Sequence, residues 1–176
     1  MVTRASDAAV IRPAEAGDRE GLHELLAPGW LAGRGACLAF IDRVIDQLAE
    51  ADRRVLVAEA EEGVVGWGRA ASWAPSPEDP ANSAPGGVYL RGVSVIPSWR
   101  RRGIGRRLTQ ARLDWARARG AREAYYFANQ GNAASLAMHA PFGFRIVTYD
   151  FWFPGIHDPN VPMFLLRAPL QPSGAT

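Results

Sequence analysis

The chain has 176 residues, 48% of them hydrophobic and 22% charged, and a formal net charge of +2. This balance excludes a disordered, collagen-like or coiled-coil chain, and no apolar run approaches the roughly 18 residues that a membrane-spanning helix needs. A chain of this length is expected to form one domain with a substantial core. We expect that domain to span residues 1–176, with an ordered core over about 10–168 and tails at 1–8 and 170–176.

The amino-terminal half of the sequence predicts two helices and a hairpin. A short strand at 10–13 is followed by a helix at 14–26 and a second helix at 37–50, whose apolar residues recur every three or four positions. Two apolar runs at 54–60 and 64–71 are separated by a short turn that contains Gly63, and this arrangement predicts a β-hairpin.

The carboxy-terminal half alternates strands and helices. A loop at 73–87, rich in proline, precedes a β-branched strand at 88–95 and a long helix at 103–119. Apolar residues predict a buried stripe on that helix, formed by Ile104, Leu108, Ala111, Trp115 and Ala118. The remaining elements are a strand at 123–127, a short helix at 132–138 capped by Asn132, and strands at 144–153 and 163–167. This order predicts an α+β (α/β) fold with a mixed sheet.

Location is predicted from two simple features. The first residues contain no apolar run long enough for a signal peptide, and the single cysteine, Cys37, cannot form an internal disulfide. We therefore expect a cytoplasmic protein with no membrane partner.

The arginines are unevenly distributed. The sequence contains no lysine, and nine of its 20 basic residues lie between Arg100 and Arg122, where Asp114 is the single acid, so the local net charge is 9 − 1 = +8. Such a patch indicates an anionic partner, such as nucleic acid, phosphate or a phosphorylated cofactor. The alternative is a solvated helix face in an arginine-rich chain.

The junction between the strand at 88–95 and the helix at 103–119 carries the sharpest chemical signal. A glycine-containing basic loop leads directly into the helix, whose first N–H groups lack internal partners and face a positive dipole end. Gly103 and Gly105 let the backbone approach a phosphate closely. The junction therefore predicts a pyrophosphate site. A Walker A loop is excluded because it needs lysine, and a dinucleotide fingerprint lacks its third glycine, near Leu108.

The loop motif resembles the acetyl-CoA-binding loop of the GCN5-related N-acetyltransferase (GNAT) superfamily. That pattern, Arg/Gln-x-x-Gly-x-Gly, is matched by residues 100–105, and the family's preceding Val-x-Pro is matched by residues 95–97. A second family pattern is Asn-x-x-Ala/Ser-x-x-x-Tyr-x-x-x-Gly-Phe. Asn132, Ser135 and Gly143-Phe144 match it, and His139 stands at the tyrosine position. The order of elements agrees from Val10 to about Arg167.

The resemblance implies a mostly antiparallel central sheet, flanked by helices and splayed between its fourth and fifth strands. It implies acetyl-CoA as acyl donor and a primary amine of a small molecule or peptide as acceptor, with direct attack on the thioester and no metal. By position, the candidate cofactor-binding residues are Val93, Val95, Arg100, Arg101, Arg102, Gly103, Ile104, Gly105, Arg106, Asn132 and Ser135. A homodimer is plausible from the resemblance, and no nucleic-acid partner is expected.

The histidine at 139 is the departure from the family pattern. Many members have tyrosine there, which is proposed to protonate the departing thiolate. Histidine also occurs at this position in branches such as the phosphinothricin-acetyltransferase-like enzymes, and it can donate a proton near neutral pH. His139 is therefore a candidate general acid. The alternative is a half-buried, hydrogen-bonded and inert histidine.

The general base is less clearly marked. The strand at 88–95 contains no carboxylate, and Tyr89 and Ser94 are its proton-carrying side chains other than arginine. We expect water relayed by Tyr89, or by Glu78 or Asp79 of the preceding loop. For the two loop acids the alternative, which we favour, is an ordinary solvated loop. The missing tyrosine and the missing strand carboxylate leave an acyl-CoA-sensing module without turnover as the alternative function.

Several other residues are interpreted more simply. His23 is expected at the surface of its helix, Trp115 in the core, and at least one of the aromatic residues at 151–153 at the surface. His157 and Asp158 are too few for a metal site. Four tryptophans are possible linings of an acceptor pocket, although core packing is the simpler role for each: Trp30, Trp67, Trp73 and Trp152.

Overall fold

A computed structural model describes residues 8–29, 33–156 and 162–170. The described residues fall into two compact units. The first contains the residues up to Ala70 together with Gly92–Arg112, and the second contains Ala71–Arg91 together with the residues from Leu113 onward. The expectation of a single domain with an ordered core over about 10–168 stays a prediction.

Seven strands and four α-helices make up the regular structure of the described residues. The strands are β1 (Val10–Pro13), β2 (Arg53–Ala60), β3 (Gly63–Trp73), β4 (Gly87–Val95), β5 (Glu123–Asn129), β6 (Arg145–Thr148) and β7 (Met163–Pro169). The helices are α1 (Arg19–Leu26), α2 (Arg34–Asp46), α3 (Ile104–Ala118) and α4 (Ala133–His139). Strands β3 and β4 and helix α3 each begin in one unit and end in the other.

The strands follow the order β1-β2-β3-β4-β5-β7-β6 in one sheet. The pairs β1–β2, β5–β7 and β6–β7 are antiparallel, whereas β4 and β5 run parallel. The β4–β5 register has two residue pairs, Val88 with Ala124 and Tyr89 with Tyr125, whereas β5 pairs with β7 along its whole length. The predicted mixed and mostly antiparallel sheet is therefore confirmed.

In the first unit, β2 is buried on both faces, as its run of apolar residues requires. Val55 and Val57 join a cluster that contains Leu22 of α1 and Ile41 of α2. The alternate residues of β2 join a second cluster, which contains Trp99, Ile104 and Leu108. Because successive side chains of a strand point to opposite faces, β2 separates α1 and α2 from α3.

Helix α3 buries a different stripe from the predicted one. Trp115 is only half-buried and Ala118 is exposed, so both assignments to the core were wrong. The buried side chains of the helix are Ile104, Leu108, Thr109, Arg112, Leu113 and Ala116. The inward row advances in steps of four and therefore passes through Arg112, which an apolar pattern does not identify.

Two further predictions were wrong. His23 was expected at the surface but is buried in α1, and the strand predicted at 144–153 ends at Thr148. A register shift between Ile146 and Thr148 interrupts the β6–β7 ladder, and the Thr148 hydroxyl then accepts a hydrogen bond from the Asp150 N–H at 3.0 Å. The chain turns at this point. The Trp152 N–H donates to the Asn82 carbonyl, and the Trp152 carbonyl accepts from the Ala84 N–H, both at 2.9 Å.

A buried carboxylate joins β1 to the start of α1. Asp18 is 7% exposed, and its two oxygens accept hydrogen bonds from the Arg12 guanidinium at 2.7 and 2.8 Å. The Glu15 N–H donates a third bond at 2.8 Å. Burial by itself would raise the pKa of Asp18, but the hydrogen bonds from Arg12 and Glu15 outweigh it and hold the pKa below its ordinary value.

We predict that Asp18→Asn lowers the free energy of unfolding by about 1–3 kcal/mol at pH 7, because it removes charge-assisted hydrogen bonds from a buried site. The folded-state pKa is depressed, so the carboxylate stabilises the fold above the ordinary pKa of 3.8. That stabilisation is lost as the pH falls through the pKa of Asp18 in the folded protein. The difference in the free energy of unfolding between wild type and variant therefore becomes smaller there. Urea unfolding over a pH series measures it.

The matched control is Asp52→Asn, since Asp52 pairs with Arg53 at the surface and is about half exposed. We expect it to change the free energy of unfolding by less than about 0.5 kcal/mol. A deficit for Asp18→Asn that stays constant from pH 7 into the acid-unfolding range would contradict the role of the charge.

Candidate active site

The loop between β4 and α3 contains two residues in the left-handed region. Arg101 has φ 65° and Gly103 has φ 78°, so two positions separated by one residue are left-handed. Alternating right- and left-handed residues turn successive N–H groups into one concavity, which binds anions. A Cβ on Gly103 would meet nothing within 4 Å, so glycine is required there for its φ and not for space.

Three contacts in the first unit hold this loop in place. The Arg100 Nε donates to the Val95 carbonyl at 3.0 Å, which ties the loop to the end of β4. Trp99 is buried beneath the loop, and its indole N–H donates to the Glu62 carboxylate. The Arg102 guanidinium lies over the Trp99 ring, 4.6 Å from its centroid. The loop is therefore anchored by its own side chains before any ligand binds.

The charged side chains of the loop and of the first turn of α3 are all positive. The side chains of Arg100, Arg101, Arg102, Arg106 and Arg107 are all exposed. The Arg107 N–H donates to the Gly103 carbonyl at 3.0 Å, which sets the first turn of α3. The N–H groups at the start of this turn have no acceptor within the helix and point toward the same end as the arginines. Concave N–H groups, a helix dipole and arginines fit a pyrophosphate.

Strand β4 changes course just before the loop. Gly92 has φ 74°, a left-handed conformation inside a strand, and Val93 and Val95 follow it with half-buried side chains. The Ile96 N–H returns to β3 and donates to the Val65 carbonyl at 3.0 Å. Val93 and Val95 also lie beyond the two residue pairs that β4 forms with β5.

Asn132, Ser135 and His139 lie together on α4 in the second unit. The Asn132 Oδ1 accepts from the Ser135 N–H at 3.0 Å, which confirms the predicted helix cap. Asn132 is exposed and Ser135 is half-buried. The cap uses the amide oxygen of Asn132, so its NH2 group is the part with which it would donate to a ligand.

His139 is buried with a defined tautomer. It is 3% exposed, and its Nδ1 lies 2.9 Å from the Ser135 carbonyl oxygen and 3.4 Å from the Ser135 hydroxyl. Because a carbonyl oxygen only accepts, the Nδ1 carries a proton. In the neutral ring the Nε2 then holds a lone pair, so His139 donates from Nε2 only as an imidazolium.

A tyrosine that the sequence did not single out lies against this histidine. The Tyr126 ring stacks on the His139 ring with centroids 4.1 Å apart, and Phe144 meets both rings edge-on. The Tyr126 hydroxyl is buried and has no hydrogen-bond partner among the described residues. Burial raises the pKa of Tyr126 to about 12, so the phenol stays protonated at neutral pH. Its inward position on β5 was the available sequence signal.

Tyr89 lies in a different environment. It is fully buried, stacks on Tyr125 at 5.2 Å, and its hydroxyl donates to the Pro85 carbonyl at 2.5 Å. Burial raises the pKa of Tyr89 above its ordinary value, and the Tyr125 phenol raises it further. These contacts favour a packing role, and the proton relay through Tyr89 stays a prediction.

The loop acids form a local turn. The Asp79 carboxylate accepts from the Ser76 N–H at 2.7 Å, and the Ser76 hydroxyl donates to Glu78 at 2.5 Å, which lowers the pKa of Glu78. Glu78 is exposed and Asp79 is half-buried. This geometry matches a solvated loop better than a catalytic base.

Aromatic side chains pack around Tyr89 in the second unit. The ring centroids of Trp73 and Phe153 are 4.6 Å apart, and the Arg91 guanidinium lies 5.2 Å from the Phe153 centroid. Phe153 is buried, whereas Phe151 and Trp152 are half-buried, so none of the three is fully exposed. Of the other predicted pocket residues, Trp67 is buried in the first unit. Trp30, His157 and Asp158 lie outside the described residues.

We predict that Tyr126→Phe raises the free energy of unfolding by about 1 kcal/mol, because it removes a buried hydroxyl that has no acceptor while it keeps the stacked ring. Chemical denaturation measures the change. Tyr89→Phe is the matched control, since its hydroxyl is hydrogen-bonded to Pro85, and we expect it to lower the free energy of unfolding. Equal effects of the two variants would show that the Tyr126 hydroxyl has a partner in solution.

Two features are not found among the residues that the structure covers. No group of three or more potential metal ligands occurs in the described ranges. No helix there is long and apolar enough to cross a membrane.

Solved structures share the fold over nearly the whole chain. The Salmonella typhimurium protein yncA, solved with its cofactor acetyl-CoA, is 22% identical, with a TM-score of 0.66 and coverage of 96% of this chain and 97% of that one. The ribosomal-protein-alanine N-acetyltransferase from Brucella melitensis is 24% identical, with a TM-score of 0.69 and coverage of 92% and 99%. The PaiA N-acetyltransferase from Thermoplasma acidophilum, in complex with coenzyme A, is 15% identical, with a TM-score of 0.64 and coverage of 92% and 99%.

No curated protein sequence matches the chain significantly. A family model does: the one described as the Acetyltransferase (GNAT) family matches residues 19–144. That range includes the β4–α3 loop, helix α4 and the Gly143-Phe144 pair. The chain therefore belongs to the GNAT acetyltransferase family.

Proposed function

We propose that this protein is an acetyl-CoA-dependent N-acetyltransferase that transfers an acetyl group to a primary amine of a small molecule or peptide. The observation that carries the proposal is the β4–α3 loop, where left-handed Arg101 and Gly103 lie beside exposed arginines at the start of α3. The family match and the neighbours solved with acetyl-CoA or CoA support the same donor.

The loop would bind the pyrophosphate of acetyl-CoA. Backbone N–H groups from Arg101 to Arg106 would donate to the phosphate oxygens, and the arginine side chains would neutralise their charge. Since Arg100 and Arg102 are already held by Val95 and Trp99, the loop needs little reordering on binding.

The strand before the loop would bind the rest of the donor. The backbone of Val93 and Val95 would pair with the pantetheine arm as an added strand, and the Asn132 NH2 group would donate to it. The Val95 N–H is the proposed donor to the thioester oxygen as negative charge develops there.

The reaction then needs two proton movements. The lone pair of the amine attacks the carbonyl carbon of the thioester, the carbon–sulfur bond breaks, and the sulfur leaves as a thiolate. The attacking nitrogen loses its proton to water. The thiolate takes a proton from Nε2 of His139. His139 acts there as an imidazolium, because in the neutral ring the proton is on Nδ1, which donates to the Ser135 carbonyl.

One observation favours a second function, a module that binds acyl-CoA without turnover. The Tyr89 hydroxyl is occupied by Pro85, and the loop acids are held in their own turn, so no described group in these two places stands ready as a base. A module that binds acyl-CoA without turnover would have the same loop. The cytoplasmic location, the homodimer and the absence of a nucleic-acid partner stay predictions.

We predict that Gly105→Glu weakens acetyl-CoA binding at least 100-fold, about 2.7 kcal/mol, because a carboxylate in the first turn of α3 repels the pyrophosphate. Isothermal titration calorimetry measures the dissociation constant. Ala118→Glu is the matched control, since Ala118 is exposed at the other end of the same helix. Unchanged affinity in Gly105→Glu would remove the loop from the binding site.

We predict that His139→Phe lowers kcat by roughly 10²-fold, since it removes the proposed proton donor, and leaves acetyl-CoA affinity within about twofold. Steady-state kinetics with an amine panel and a binding titration measure the two effects. Tyr126→Phe is the matched control, because it alters the stacked partner but keeps the imidazole. If Tyr126→Phe lowers kcat and His139→Phe does not, the phenol is the proton donor instead. Acetyl-CoA binding without product on any amine would favour the sensing module.

A further inference from the structure

Arg112 is the largest fully buried side chain of the described residues, at 1% exposure. The apolar pattern of α3 leaves its arginines on the solvent face, but Arg112 points inward, in the buried row that also contains Ile104 and Leu108. Arg117 of the same helix is half-buried, and Arg119, in the turn directly after it, is exposed. The position of Arg112 is therefore a specific feature and not part of the general basic patch.

Neutral oxygens surround the buried guanidinium. Its Nε donates to the Leu108 carbonyl at 3.1 Å and its Nη2 to the Thr109 hydroxyl at 2.9 Å, both on α3. Its Nη1 donates to two strand carbonyls, those of Gly92 on β4 at 3.0 Å and Arg69 on β3 at 3.3 Å. One side chain thus connects the helix to both strands.

A glycine on β3 makes room for this side chain. A Cβ on Gly68 would lie 3.2 Å from both Cζ and Nε of Arg112, closer than ordinary van der Waals contact. The guanidinium therefore lies close to the backbone of β3, and any larger residue at 68 would displace it.

The second carbonyl belongs to the break in β4. Gly92 is left-handed, at φ 74°, and a Cβ there would lie 3.3 Å from the Trp67 ring. A left-handed residue turns its peptide groups away from the regular ladder, so its carbonyl needs another donor. Arg112 supplies that donor, and the segment Val93–Val95 begins at the next residue.

The burial of this charge is unfavourable by itself. Burial lowers the pKa of Arg112 to about 9, and no carboxylate within the described ranges forms an ion pair with it. A buried charge held only by dipoles adds little stability compared with an apolar side chain of the same volume. Its four hydrogen bonds therefore point to a role in shaping the backbone.

We propose that Arg112 is a positioning residue for acetyl-CoA: its guanidinium clamps the carbonyls of Gly92 and Arg69 and thereby fixes the direction in which the Val93–Val95 backbone leaves the break in β4. This inference rests on the proposed function, since it assigns that backbone to the acyl donor. Arg112 acts through the strand and does not contact the substrate.

The test compares Arg112→Met, Arg112→Lys and the control Arg119→Met, which alters an exposed arginine in the turn directly after α3. Hydrogen exchange of a peptide covering 88–96 reports the strand in the free protein, and calorimetry reports the acetyl-CoA dissociation constant. For Arg112→Met we expect exchange about tenfold faster and binding roughly 10- to 100-fold weaker. Arg112→Lys should fall between Arg112→Met and the wild type, because an ammonium group lacks the planar fork. The control should change neither quantity.

A second variant covers the case in which Arg112→Met does not fold. Gly68→Ala keeps the arginine but places a methyl group 3.2 Å from its Nε and Cζ, so it should shift the clamp and raise both exchange and the dissociation constant. The proposal is overturned if a folded Arg112 variant keeps the wild-type hydrogen-exchange rate and acetyl-CoA affinity. If the Arg112 variants do not fold, the same result in Gly68→Ala overturns it. If wild-type protein itself binds no acetyl-CoA, the proposed function fails. The exchange result still decides whether Arg112 fixes the strand.

Discussion

The backbone between Gly92 and Gly103 is the constraint on which the candidate site depends. Three of its residues, Gly92, Arg101 and Gly103, adopt left-handed conformations. Each such residue turns peptide groups out of the regular strand or helix pattern, so each leaves donors or acceptors that need partners. On the strand side the partner is the buried Arg112. On the helix side the proposed function assigns these N–H groups to the pyrophosphate of acetyl-CoA.

The packing of the first unit supports this segment from below. Trp99 holds the loop through Glu62 and Arg102, and Gly66 and Gly68 bring α3 close to β3, against Ile104 and Arg112 respectively. The glycines of β3 therefore do not mark a weak strand. They mark places where helix side chains approach the strand backbone, and the shape of the β4 terminus follows from that approach.

The sequence predicted the element order and the Asn132 cap because both depend on local patterns, namely hydrophobic periodicity and a capping side chain. Glycine spacing marked the β4–α3 loop as a candidate anion site, and that assignment stays a prediction. It did not predict what depends on tertiary contacts. The predicted stripe of α3 left out Arg112 because it is polar and included Trp115 because it is apolar, and the polar His23 was expected at the surface. Tyr126 was overlooked because nothing in the sequence places its ring on His139. The family motif on α4 identified His139 as a candidate general acid. Only the geometry showed that its Nδ1–H donates a hydrogen bond to the Ser135 carbonyl.

The central claim is that the β4–α3 loop binds the pyrophosphate of acetyl-CoA, and thermal unfolding with added ligand tests it most directly. The purified protein would be melted with acetyl-CoA, with CoA and with a short DNA duplex, all at the same ionic strength. A ligand at 100 times its dissociation constant stabilises the fold by roughly 2.7 kcal/mol, which raises the Tm of a domain of this size by several degrees. The account predicts that rise with both CoA compounds and none with DNA. A folded protein that responds to DNA but not to acetyl-CoA would contradict it.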